Sequence, residues 1–172
     1  MKNKEKINKV IVLFISILLM ATPVLATSGN ANTPVQYTVN YILGIDTAFT
    51  VTPAGAETSM DFNPAATSSQ NVEPDSQVKA TNTPWAVITN NGNVAQNFSV
   101  NLTAAQSSYA SVNISNSSVF TQQVLLSATA QIPTGWSNVA SSGTANLYAI
   151  ANFTNLPGGT TSKTLQINSA AS

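Results

Sequence analysis

The stretch Trp85-Ala-Val-Ile-Thr-Asn-Asn-Gly-Asn-Val-Ala-Gln-Asn-Phe-Ser-Val-Asn-Leu102 decides the fold class. Trp85 to Thr89 is rich in β-branched and aromatic residues, and Asn90 to Asn93 carries the amide and glycine chemistry of a tight connection. Phe98, Val100 and Leu102 then alternate with Asn97, Ser99 and Asn101. The pattern predicts a β-hairpin with one apolar face and one face of amides and hydroxyls. A two-stranded hairpin cannot bury such a face alone, so a second sheet must cover it, as in a sandwich or barrel.

Outward from this stretch the same grammar continues. Val35, Tyr37, Val39, Tyr41 and Leu43 alternate with Gln36, Thr38, Asn40 and Ile42, which predicts a long first strand. Gly44 to Asp46 turns it, Phe49 and Val51 mark a second strand closing at Pro53, and Ala54 to Ala56 is a loop. Met60 to Phe62 reads as a short strand. Asn63 to Thr83 is weakly patterned, with Gln77 to Ala80 its best edge-strand candidate. Tyr109 to Ser115 is a further strand, and Val119 to Ala130, with the run Val124-Leu125-Leu126, suits a buried one. Pro133 to Gly135 turns toward Trp136. Asn146 to Thr154 alternates again, Leu156-Pro-Gly-Gly159 turns the chain, and Leu165 and Ile167 mark the last strand. Eight or nine short strands, with neither a helix in the mature part nor an internal repeat, predict an all-β, single-domain, antiparallel immunoglobulin-like β-sandwich of jelly-roll or Greek-key type.

The first residues carry a different message. Lys2, Lys4, Lys6 and Lys9 precede the apolar block Val10 to Met20, and Pro23 and Ala26 follow it. This is the order of a cleaved secretory signal peptide, and the block is too short to span a bilayer comfortably. The expected organisation is a signal peptide over 1–26, a flexible leader over 27–34 and the sandwich over 35–172. The expected location is secreted, either extracellular or at the cell surface, with no membrane association once the signal peptide is removed.

Beyond residue 26 only Lys79 and Lys163 face Asp46, Glu57, Asp61, Glu73 and Asp75, a net charge of minus three. With no arginine anywhere, no basic surface can neutralise phosphates, so nucleic acid is not an expected partner. The chain has no histidine and no cysteine, which removes the usual bases, thiol nucleophiles and soft-metal ligands. No motif joins a serine to either lysine. Asp61, Glu73 and Asp75 lack the ligand spacing of a calcium loop. The expectation is a non-enzyme with no catalytic residues, no metal and no cofactor.

Trp85, Trp136, Tyr109 and Tyr148 are candidates for a sugar-stacking platform, with core packing the commoner use of such residues. Tyr148 is the one best placed to face outward. Asn97, Asn101, Asn113, Asn116 and Asn152 are N-glycosylation acceptor sequons, in the number that composition alone gives. Lys79 or Lys163 could form a crosslink to an asparagine side chain if buried among apolar groups.

The leader, the long alternating strand, the Thr89-Asn-Asn-Gly-Asn93 connection and the Leu156-Pro-Gly-Gly-Thr-Thr161 turn before the final strand resemble secreted sandwich subunits of extracellular fibres. These are the TasA and camelysin-like group of bacteria and the bundling pili and threads of archaea. The metalloprotease activity linked to camelysins is not implied, because zinc-binding histidines are absent. The resemblance implies a structural filament subunit, as in a pilus or biofilm fibre, that polymerises with identical copies by donor-strand complementation. The donor strand would be Val35 to Leu43, with Val35, Tyr37, Val39, Tyr41 and Leu43 filling the acceptor groove. The same periodicity suits an ordinary first strand in its own sandwich. The alternatives are a secreted carbohydrate-binding or adhesive module that binds surface glycans, and an S-layer-associated protein.

Overall fold

A computed structural model describes residues 35–43, 48–55 and 57–172, the first segment by its backbone and the Tyr37 side chain. The expected signal peptide over 1–26, the leader over 27–34 and the turn at Gly44 to Asp46 lie outside the described residues. So do the side chains of Val35, Val39, Tyr41 and Leu43.

The described residues form nine strands and no α-helix: β1 (Val35–Leu43), β2 (Phe49–Pro53), β3 (Ser59–Phe62), β4 (Ala86–Asn90), β5 (Gln96–Leu102), β6 (Ala110–Ser115), β7 (Gln123–Leu125), β8 (Thr144–Phe153) and β9 (Gly159–Ala171). Among these residues no helix is long and apolar enough to cross a membrane. One sheet has the order β3-β1-β9-β5 and the other β2-β4-β8-β6-β7. Every strand pair is antiparallel except β1 with β9, which run parallel.

The two sheets bury one shared core, an arrangement consistent with a β-sandwich. Strand β5 buries Gln96, Phe98, Val100 and Leu102 and leaves Asn97, Ser99 and Asn101 half-exposed. Across the core Phe98 meets Phe49 of β2 edge-on, ring centroids 5.5 Å apart. Alternation in the sequence becomes a two-faced strand because one face has a sheet to pack against.

The Trp85 to Leu102 stretch is not a hairpin. Strand β4 pairs with β2 and β8, whereas β5 pairs with β9 in the other sheet. The cause is Asn90, whose side chain is fully buried. Its Oδ1 accepts from the Gly92 N–H at 2.8 Å, and its Nδ2 lies 2.9, 2.8 and 3.1 Å from the carbonyls of Val94, Val139 and Ala140. An exposed Asn-Gly turn would keep both strands in one sheet. The buried amide instead carries the chain across the core as an arch.

Two other expectations change. Gln77 to Ala80 is not a strand, and Lys79–Thr81 is a 3-10 turn. The Gln77 side chain does the pairing instead: its Nε2 donates to the Ala149 carbonyl at 2.9 Å and its Oε1 accepts from the Ala149 N–H at 2.7 Å. Strand β4 pairs with β8 only as far as Leu147, and the Gln77 amide takes over the ladder there. The run around Val124 is not a buried strand either. Only Gln123–Leu125 is extended, at the edge of the sheet, and Leu125 is exposed while Leu126 enters the core.

Candidate functional site: the slot filled by the first strand

Strand β1 lies inside its sheet with a partner on each side. Against β3, Tyr37 pairs with Phe62, Thr38 with Asp61 and Val39 with Met60. Against β9 the register runs from Val35 with Gly159 to Leu43 with Ile167. Strand β5 pairs with β9 only from Leu165 to Ala171, so β1 is the only described strand on Gly159 to Lys163. Without β1, β3 and the first part of β9 would present unpaired main-chain groups along an open slot.

The outer edges of this sheet are closed by the chain itself. Along β5, the N–H groups of Gln96, Phe98, Val100 and Leu102 donate to the carbonyls of Val139, Trp136, Gln131 and Ser127 at 2.7–2.9 Å. Beside β3, the Asp75 N–H donates to the Asp61 carbonyl at 2.9 Å, and Phe62 bridges to Pro74. Between these edges, the place beside both β3 and β9 is filled by β1.

The floor of the slot is aromatic. Tyr37 is fully buried, its ring centroid 5.6 Å from Phe153 of β8 and 6.4 Å from Phe62 of β3. Phe62 and Phe153 are themselves fully buried and stand 6.5 Å apart. The Tyr37 hydroxyl is buried with no hydrogen-bond partner. Burial pushes its phenol up to about 12, and the Tyr109 phenol nearby adds to the rise. Tyr109 shares a hydrogen bond with Thr161 at 3.2 Å. Hydrogen bonds with Ser107 and Thr161 lower the Tyr109 phenol from its ordinary value.

The aromatic residues considered for sugar stacking do not form an exposed platform. Trp85 and Trp136 are fully buried, and the Trp136 Nε1 donates to the Asn146 carbonyl at 3.0 Å. Tyr148, expected to face outward, is only 4 % exposed. It does lie on the outer side of β8, but Phe120 packs on it edge-on and its hydroxyl donates to the Asn82 carbonyl at 2.6 Å. The chain around the 3-10 turn covers that face. Tyr109 is half-buried at the end of the slot.

Four of the sequon asparagines lie on strands of the two sheets and Asn116 follows the end of β6; all five are half-buried. Asn97, Asn116 and Asn152 each accept a main-chain N–H, from Asn138, Asn146 and Asn71 respectively, all at 2.7 Å. Asn101 accepts from the Asn168 amide at 3.2 Å, and Asn113 sits on β6. Lys79 is exposed with its Nζ 5.7 Å from the centre of the Phe120 ring, so it is not the buried lysine that an asparagine crosslink needs. Asp75 accepts from Asn63 at 2.8 Å and Glu73 from the Lys79 N–H at 3.3 Å. Among the described residues no three acidic, histidine or cysteine side chains are grouped to hold a metal ion.

The walls and floor of the slot, Phe62, Phe153 and Thr161, are not singled out by sequence reading. The Met60-Asp-Phe62 alternation marks one wall, but nothing local in the sequence joins it to residues some 90 to 100 positions later. The chain matches no protein-family model, and no curated protein is significantly similar to it.

Proposed function

We propose that this chain is the structural subunit of an extracellular filament or cell-surface assembly, and that Val35–Leu43 is the strand it donates to the next copy. The observation that carries the reading is the position of β1: a strand from near the start of the chain, interior to its sheet and parallel to the last strand. An identical strand from another copy would meet the same two neighbours, since β3 and β9 are the described sheet partners of β1. Main-chain hydrogen bonds on both sides supply affinity, and alternate side chains supply selectivity. An interface in which one copy fills the slot of the next is head-to-tail, which yields open filaments when the rotation does not close.

The finer reading is an immunoglobulin-like sandwich of jelly-roll or Greek-key type, supported by the way successive strands from β1 to β6 cross between the two sheets. Secretion rests on the charged and apolar pattern of residues 1–26. The low charge beyond residue 26 leaves little repulsion between packed copies.

The test is negative-stain electron microscopy with size-exclusion chromatography on a chain spanning residues 27–172, beside one spanning 44–172. Filaments from the first and none from the second support strand donation. A persistent monomer from the first, across protein concentration and time, returns β1 to its own sheet.

A further inference from the structure

The alternation of β1 is unchanged by a slip of two or four residues, since Val35, Tyr37, Val39, Tyr41 and Leu43 keep the same parity each time. Pattern therefore selects the face of the strand but leaves a choice among even-numbered registers. Tyr37 and Tyr41, four residues apart, make a slip of four the closest competitor in side-chain chemistry. Something in the slot must choose between them.

The described register seats Tyr37 opposite Phe62 on one side and Thr161 on the other. Rings of Phe62 and Phe153 bound that seat at centroid distances of 6.4 and 5.6 Å. One step along, Val39 stands opposite Met60, and two steps along, Tyr41 stands opposite Leu165, both fully buried neighbours without rings. The aromatic seat is thus a local feature of the slot.

We propose that Tyr37 sets the register of the strand: the Phe62–Phe153 seat takes one aromatic ring, and that ring decides which main-chain groups of the strand meet β3 and β9. The extension to a strand from a second copy rests on the strand-donation reading, whereas the seat itself does not. An alanine at position 37 forfeits ring contacts and leaves a cavity, which a slip bringing Tyr41 to the seat would refill. The hydroxyl has no part in the choice, because it is buried without a partner. Phenylalanine should serve as well as tyrosine.

The chain contains no cysteine, so paired cysteines report register directly. Thr38 lies opposite Asp61 in the described register, and directly opposed residues are close enough for a disulfide. A slip of two brings Asn40 opposite Asp61, and a slip of four brings Ile42 there. The experiment places Asp61→Cys with Thr38→Cys, Asn40→Cys or Ile42→Cys in the chain spanning residues 27–172. Disulfide yields are compared with tyrosine, phenylalanine or alanine at position 37.

The expected result is that the 38–61 product dominates with Tyr37 and with Tyr37→Phe. With Tyr37→Ala the ratio of the 38–61 product to the slipped products should fall roughly tenfold or more. An unchanged ratio overturns the proposal. Equal loss at all three positions also overturns it, since the ring would then hold the strand without setting its register. If Tyr37→Ala does not fold, Tyr37→Leu, which keeps bulk and removes the ring, is read by the same ratio. Gel mobility separates the two readings. A register shift found only in monomeric products overturns strand donation and leaves the role of Tyr37, whereas linked ladders with an unshifted register do the reverse.

Discussion

The rings of Tyr37 and Phe153 come from opposite sheets and meet with centroids 5.6 Å apart and planes inclined by 60°. Tilted contact at this distance is the favourable geometry for two aromatic rings. Its consequence is that β1 does more than complete a row of main-chain hydrogen bonds. It also projects a side chain from the inner face of its own sheet onto the partner sheet. Any strand that takes the place of β1 must fill the same space.

Tyr37→Phe should leave the fold intact and be neutral or stabilising, by up to about 1 kcal/mol, because it removes a buried hydroxyl that bonds to nothing. The phenol of Tyr37 ionises at about 12 in the folded chain and at about 10 when unfolded. The unfolded state therefore loses its proton first. Stability from this group is fully present below pH 10 and is lost as pH rises from 10 to 12. Urea denaturation across that range should show a decline in midpoint that is shallower in Tyr37→Phe than in the parent chain.

Asn90→Ala should cost roughly 2–4 kcal/mol, because the carbonyls of Val94, Val139 and Ala140 lose a buried donor and the Gly92 N–H loses its acceptor. Asn90→Asp should be of similar severity, since a carboxylate cannot donate to those carbonyls. Urea denaturation of both variants checks the claim. A loss below about 0.5 kcal/mol would mean that the arch does not depend on this amide.

Gln77→Ala should remove about 1–3 kcal/mol and expose the edge of β8 where Ala149 loses both its partners. Hydrogen exchange resolves this by residue. The Ala149 amide should exchange faster in the variant, whereas the Val112 amide, bonded to the Gln106 side chain elsewhere, should change less.

Trp136→Ala should destabilise the fold by about 3–5 kcal/mol, as expected for a fully buried indole, and do so with or without any glycan. A folded variant of parent-like melting temperature that had lost binding on a glycan array would favour the sugar-platform reading instead. Acrylamide quenching gives a quicker check: emission from Trp85 and Trp136 should resist it, since both are fully buried.

The all-β character was legible because period-two alternation reports one buried face, and β5 and most of β6 carry it plainly, whereas β8 is buried on both faces from Leu147 to Ala151. Which strands pair was not. The Asn90 to Asn93 signal is the same for an exposed turn and for an arch, and only the burial of the Asn90 side chain separates them. Tyr148 misled for a related reason. Parity puts it on the outer side of β8, but parity is silent about the 3-10 turn and Phe120 that cover it. The Gln77 amide, acting as a strand partner, leaves no periodic trace at all. The slot was half legible: β1 announces itself by alternation, while its walls come from β3 and β9, about 100 residues apart in the chain.

If β1 of one copy occupies the slot of another, mixing two singly substituted chains traps it there. One carries Thr38→Cys and the other Asp61→Cys, so neither can form the 38–61 disulfide alone. Strand donation predicts a mixed disulfide-linked dimer, appearing as filaments form and lost on reduction. The contradicting result is the absence of that dimer in the mixture, while the doubly substituted chain closes its 38–61 disulfide within a single copy.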